Sequence, residues 1–383
     1  MTESEAYFAL NLVPDMGAAT VRAGIALFGS AAAFFEAGAT RLADVSGIGP
    51  RRAERFDAAF RSVDWRAERD RARASALTIV TPADPDYPPL LARINLFPLA
   101  LYVAGSPAVL REAAVAMVGT RAPTNYGREN ARSFAYRLAQ AGLCIVSGLA
   151  RGIDTESAEG ALLAGGKTVA VIGSALDRLY PPENRELARR IVRAGGAVVS
   201  EYPFGRQADR QTFPMRNRIV SGLALGVLCV EAGVASGTLI TADHALEQGR
   251  PVMAIPGRAT DPTAQGCHKL IKAGARLVET PADVLDELSR LPAAPGAAPA
   301  PAADAAASGG PPPSPAPLRA APAPADPDQA AVLAALAGGA EKTPDAIVAA
   351  TGLAAWTVGP LLIQMEMSGL VRRLPGNHYA ARR

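Results

Sequence analysis

The chain has 383 residues, 49% of them hydrophobic, and a net charge of +3. That length asks for roughly two or three domains with apolar residues enough for a sizeable core, and so small a charge excludes inferring a nucleic-acid ligand from charge alone. Three cysteines are too few for a disulfide framework, and with neither a signal peptide nor a long apolar run the expectation is a soluble, cytoplasmic protein.

Residues 1–75 read as a helical domain. Phe8, Leu12, Val21, Ile25 and Phe28 fall at near-helical spacing. Val45-Ser46-Gly47-Ile48-Gly49-Pro50 joins two helical stretches, and Arg51-Arg52-Ala53-Glu54-Arg55-Phe56 begins the second. The pattern is SAM/helix-hairpin-helix-like. Such a turn holds phosphate through its backbone amides, or is simply a tight interhelical connection. Arginines crowd the stretch from Arg51 to Arg73. A connector, residues 76–98, includes a proline-rich bridge from Thr81 to Pro98.

Residues 99–282 form the central domain. Six short apolar segments each run into a glycine or small polar turn: Ala113–Val118, Leu143–Val146, Thr168–Ile172, Ala197–Val199, Gly226–Val230 and Pro251–Ile255. Helices follow most of the turns. One is capped by Thr124 or Asn125, lined by Ala131, Phe134, Ala135 and Leu138, and stopped by Gly142; another runs from Ser236 to Gly249. Arg276 to Val278 adds an edge strand. This alternation predicts an α/β fold, a doubly wound, mostly parallel sheet whose strand ends gather on one edge, where ligands bind. Cys144 and Cys229 lie in predicted strands as small buried hydrophobes, and Cys267 and His268 are placed in a loop. No group has metal-ligand spacing.

Residues 283–327 are a linker, almost entirely Pro, Ala, Gly and Ser from about 291. Residues 328–383 follow as a small module. Helices over Ala331–Leu336, Pro344–Ala350 and Ala355–Met367 precede a hairpin, Leu370–Leu374 and His378–Ala380 around Pro375-Gly376-Asn377. Three helices and a hairpin read as a winged helix. The third helix carries no Lys or Arg, and only Arg372, Arg373, Arg382 and Arg383 near the wing are basic. That points to protein docking or a structural role rather than base reading.

The binding constellation lies in the central turns. Gly119-Thr120-Arg121 offers amides, a hydroxyl and a guanidinium, all good phosphate donors. Ser147-Gly148-Leu149-Ala150-Arg151-Gly152-Ile153-Asp154 repeats the pattern, with Asp154 a helix N-cap or a ligand contact. In Arg210-Gln211-Thr212-Phe213-Pro214-Met215-Arg216-Asn217-Arg218 a loop aromatic precedes arginines at a helix start. Phe213 suits stacking on a base and the arginines suit phosphates. Arg216 and Arg218, two apart, face different ways: one the ligand, the other an ion pair with Glu201 or Glu231. Ser236-Gly237-Thr238 opens a helix whose amides form an anion site. Neither a dinucleotide fingerprint nor a Gly-Lys-Ser/Thr phosphate loop is present. The three histidines, His244, His268 and His378, meet no paired carboxylate or activated serine at suitable spacing, so no catalytic residue is assigned.

Val118–Arg121, Ser147–Asp154, Phe213–Arg218, Glu231–Thr241, Ala254–Gly257 and Leu270–Ala275, in that order, resemble the DprA/Smf family, DNA-processing protein A. The resemblance implies an extended Rossmann-like domain with a helical N-terminal and a winged-helix C-terminal partner. It implies a non-enzymatic protein without cofactor that binds single-stranded DNA, protects incoming DNA, displaces single-strand-binding protein and loads the RecA recombinase during natural transformation, as a homodimer through the central domain. Arg121, Arg210 and Phe213 match the family's DNA contacts. Two positions depart from the family pattern: Ala158 where a histidine is common, and Ala175 where a second glycine is common. The competing reading is a nucleotide-binding or nucleotide-hydrolysing enzyme of the lysine-decarboxylase-like type, built on Glu231 to Thr238. A third is a scaffold whose edge takes an acidic tail.

Overall fold

A computed structural model describes residues 1–291, 327–337, 340–367, 370–374 and 378–381. Residues 1–303 group as one compact unit and 304–383 as a second. In chain order the first unit holds α1 (Glu3–Asn11), α2 (Ala18–Phe28), α3 (Ala31–Phe35), α4 (Ala39–Leu42), α5 (Pro50–Ser62), α6 (Trp65–Ala74), β1 (Thr78–Val80), β2 (Leu101–Gly105) and β3 (Ala114–Val118). It continues with α7 (Asn125–Gln140), β4 (Cys144–Ser147), α8 (Ile153–Leu163), β5 (Thr168–Val171), α9 (Arg185–Arg193), β6 (Ala197–Ser200) and α10 (Thr212–Gly222). β7 (Gly226–Cys229), α11 (Gly237–Glu247), β8 (Val252–Ala254), α12 (Gln265–Lys272), β9 (Arg276–Leu277) and α13 (Pro281–Ser289) complete it.

All six apolar segments are strands, and every residue of β3, β4, β5, β6, β7 and β8 is buried. The sheet order is β1-β2-β6-β5-β4-β3-β7-β8-β9, parallel from β6 through β9. Strands buried on both faces need helices on both sides, and the period of two divides β3 between them. Val115 and Met117 pack with Phe134 and Leu138 of α7. Ala114, Ala116 and Val118 face the opposite core, which runs through Leu91 and Leu99 to Phe34 and Phe56 of the N-terminal helices. From β3 the chain winds through β4 and β5 to β6, then returns to β3's other flank for β7 to β9. The reversal point is therefore β3 against β7, where such sheets open a crevice at their carboxyl edge.

Two antiparallel strands extend the sheet beyond the parallel pattern. β2 pairs with β6, and β1 with β2. Their three and five residues flank a proline-rich stretch that offers no long alternation. The N-terminal helices dock against this edge: Glu68 accepts from the Tyr102 hydroxyl at 3.0 Å and the Phe204 amide at 2.8 Å. Cys267 and His268 lie in α12 rather than in a loop. The helix lacks a side-chain cap that would announce it, and Cys267 is buried against the Cys229 carbonyl. Burial also raises the pKa of the Cys144 and Cys229 thiols.

The second unit contains α14 (Pro327–Ala335), α15 (Pro344–Thr351), α16 (Ala355–Met367), β10 (Val371–Leu374) and β11 (His378–Ala381), the last two an antiparallel pair. Val332, Ile347, Val358, Leu362 and Tyr379 share its core. The predicted Pro375-Gly376-Asn377 turn, Arg382, Arg383 and most of the predicted linker lie outside the described residues. Among the described residues no helix is long and apolar enough to cross a membrane, and no group of three potential ligands could hold a metal ion.

Candidate nucleic-acid interface

The turns after β3 and β4 and the starts of α10 and α11 surround a cleft of about 470 Å³. Gly119, Thr120 and Arg121 form one wall, Gly148 and Asp154 lie deep, and Arg210, Phe213, Arg216 and Asn217 enter from the α10 side. Ser236, Gly237 and Thr238 close it. The structure thus brings Arg121, Arg210 and Phe213 to one opening. Arg121 and Arg210 are exposed on its rim, and the Arg121 guanidinium lies 5.0 Å from the Phe213 ring centroid. Tyr180 approaches the same ring at 5.7 Å between centroids. A half-buried aromatic ring beside an exposed cation suits a base and its phosphate together.

Each wall has a local cause. Thr120 gives its amide to the Glu231 carbonyl at 2.7 Å, and its own carbonyl accepts from Ile153. The amides of Gly119 and Arg121 make no hydrogen bond among the described residues. The Ser236 hydroxyl caps α11 by accepting from the Thr238 amide at 3.2 Å. Asn217 reaches across the cleft to the Gly237 carbonyl at 3.4 Å, tying α10 to α11. α10 is held at its start by Asp209, which accepts from the amides of Gln211 and Thr212, each at 2.8 Å. Those two amides hold the Asp209 pKa below its ordinary value.

The turn after β4 behaves differently from the one after β3. Leu149 adopts φ +56°, and the amides on either side of it, Gly148 and Ala150, converge on Asp154 Oδ2 at 3.0 and 3.2 Å. This concavity is an anion seat, and the chain's own carboxylate fills it. Asp154 is neither an N-cap nor at the rim: Gly152 is the N-cap, and Asp154 sits at the second helical position. Gly152 has φ +77°, and a Cβ there would strike the Thr120 carbonyl. Burial raises the Asp154 pKa, opposed by Arg216 and the two amides.

Arg216 is the floor. It is 4% exposed, hydrogen-bonds the Val171 carbonyl and lies flat on Gly148. Burial lowers its pKa, and Asp154 pulls the other way. Its Nε makes no hydrogen bond. The cleft therefore carries three guanidinium groups, those of Arg121, Arg210 and Arg216, against one carboxylate.

Several predicted residues lie elsewhere. Arg218 points away from the cleft into a bidentate ion pair with Glu201, at 2.6 and 3.0 Å, as the two-residue offset from Arg216 requires. Ser147 is fully buried and its hydroxyl has no partner. Arg151 is exposed outside the cleft and pairs with Glu183. Glu231 is 4% exposed, and its carboxylate accepts from the Thr124 amide and hydroxyl, the latter at 2.8 Å. It anchors the start of α7 and lines a neighbouring cavity with Thr124, Tyr126 and Pro256 rather than the cleft itself. Ala158 and Ala175 are both buried and away from the cleft. Sequence reasoning missed Ile240 and Thr241, one turn into α11, which line the cleft beside Thr238; the helical spacing of 238 and 241 was the available signal.

Residues 78–289 match the family model described as DNA recombination-mediator protein A. Residues 312–377 match that described as DprA winged helix domain. The chain is 45% identical to Protein Smf of Escherichia coli over 208 residues, which is 54% of this chain and 56% of that protein, so the match spans about half of this relative's length. The structure resembles that of DNA processing protein A from Streptococcus pneumoniae, with a TM-score of 0.65 and 36% identity over 75% of this chain and 98% of that one. It also resembles a structure from Helicobacter pylori described as giving insight into the single-stranded DNA binding mode of DNA processing protein A. There the TM-score is 0.51 and the identity 28%, over 56% of this chain and 98% of the other.

Proposed function

Since this chain belongs to the DNA recombination-mediator protein A family, we propose that it binds single-stranded DNA along the carboxyl edge of its sheet and hands that strand to a recombinase. The observation that carries the reading is the convergence of Arg121, Arg210, Arg216 and Phe213 on one cleft. Phosphates enter between Arg121 and Arg210 and descend toward Arg216, whose charge is partly offset by Asp154. The amides of Gly119 and Gly237 and the hydroxyls of Thr120 and Thr238 complete the shell. A base stacks on Phe213. None of these contacts reads base edges, so binding has little sequence preference.

The biological role follows the resemblance: protection of incoming DNA, displacement of single-strand-binding protein and loading of RecA in natural transformation, by a homodimer formed through the central domain. The reading is one of binding rather than catalysis. Fluorescence anisotropy with a labelled oligo-dT tests the site. Arg121→Ala lowers affinity about tenfold across sequences, and the slope of log K against log salt falls by roughly 0.7 per lost phosphate contact. Unchanged affinity and slope at moderate salt would remove Arg121 from the interface. Release of free base from nucleoside monophosphates would replace the reading with an enzymatic one.

A further inference from the structure

A second depression, of about 450 Å³, lies over β2, between the end of α6 and the length of α9. It shares no residue with the cleft. Its floor is aliphatic: Leu77, Leu176, Leu179 and Val192 are half-buried there, with Ala104 beneath. No aromatic side chain lines it. Its rim is a row of arginines, Arg185, Arg189 and Arg193, each four residues after the last on α9.

We infer that this groove is a docking site for an acidic, apolar-alternating segment of a partner protein bound in extended form. Two features select that chemistry. The arginines rise along one helix face at intervals of about 6 Å. Same-side residues of an extended chain repeat about every 6.7 Å, so carboxylates at alternate positions meet successive guanidiniums while the intervening side chains drop onto the floor. The aliphatic floor disfavours single-stranded nucleic acid, which takes aromatic platforms. The one acid lining the groove, Asp177, already accepts from the Gly205 amide at 3.0 Å and from Arg71 at 3.4 Å. Arg189 and Arg193 share the exposed Glu186 at 3.1 and 3.2 Å, and such surface pairs open readily to a better acid. The chain's own Pro/Ala-rich segment does not fit: between 291 and 327 it offers only Asp304 and Asp326 as acids.

The full-length protein is titrated, by fluorescence anisotropy, into a labelled octapeptide alternating Glu and Leu. The peptide binds, and Arg189→Glu with Arg193→Glu weakens it about tenfold or more, whereas Arg189→Lys with Arg193→Lys keeps most of the affinity. Replacing Leu by Ser in the peptide also abolishes most binding, and oligo-dT does not displace it. Retained oligo-dT affinity in each variant shows that the fold is intact. Failure of the peptide to bind, an affinity within about twofold after charge reversal, equal binding of the Ser peptide, or displacement by oligo-dT would each overturn the assignment.

Discussion

Gly148→Ala probes the floor of the cleft without touching a charged residue. An ideal Cβ at position 148 would stand 2.5 Å from both Cζ and Nη2 of Arg216, and closer still to Nη1. Ordinary contact begins at 3.4 Å, so the guanidinium would have to withdraw by about 1 Å or more. Withdrawing toward the cleft that it lines would break its bond to the Val171 carbonyl and part it from Asp154. Parting a buried charge from its partners costs about 3–5 kcal/mol, a large share of a typical stability of about 5–15 kcal/mol. The unit holding the sheet should melt roughly 6–15 °C lower. Differential scanning calorimetry measures this, with Gly17→Ala as control, since a Cβ there meets nothing within 4 Å. At temperatures where both variants stay folded, oligo-dT affinity falls only for Gly148→Ala. A Tm within about 2 °C of the parent, with unaltered affinity, would refute the packing of Arg216 on that glycine and the role given to it.

Phe213→Ala should weaken oligo-dT binding by about 1–3 kcal/mol while leaving the salt slope unchanged, because it removes a stacking face and no charge; a matching change in slope would show that it acts through Arg121. Arg218→Ala should cost up to about 3–5 kcal/mol by leaving the half-buried Glu201 carboxylate unpaired, and Glu201→Gln added to it should recover part of that, with oligo-dT affinity of the folded protein unaltered; urea titrations decide. Asp209 has a folded pKa below its unfolded value of about 3.8. Its contribution is complete above that value and disappears as pH falls through the folded pKa. Asp209→Asn should therefore flatten the acid limb of the stability profile below about pH 4, and an unchanged limb would mean that the α10 start does not depend on this carboxylate.

The legible parts of the molecule are those set by neighbours in sequence. The apolar runs at Val115 or Val227, the cap at Thr124, the stop at Gly142 and the start at Ser236 all behave as their local patterns require. The opposite facing of Arg216 and Arg218 follows from helix geometry alone. What escaped depended on distant partners. β1 and β2 are strands because β6 offers an open edge. Asp154 fills the turn that a ligand was expected to occupy because Leu149 turns both amides toward it. Glu231, near the Gly-Val-Ala-Ser-Gly turn, instead anchors Thr124, more than a hundred residues earlier.

Periodicity, caps and turn residues act over a few positions, so the amino-acid order alone determined most of the elements, the family and the kinds of group that line the cleft. Strand order is a long-range outcome, governed by which faces must be buried together. Only the assembled sheet, reversing at β3, placed Arg121, Arg210, Phe213 and Arg216 around one opening and turned Arg218 and Glu231 inward to hold its walls.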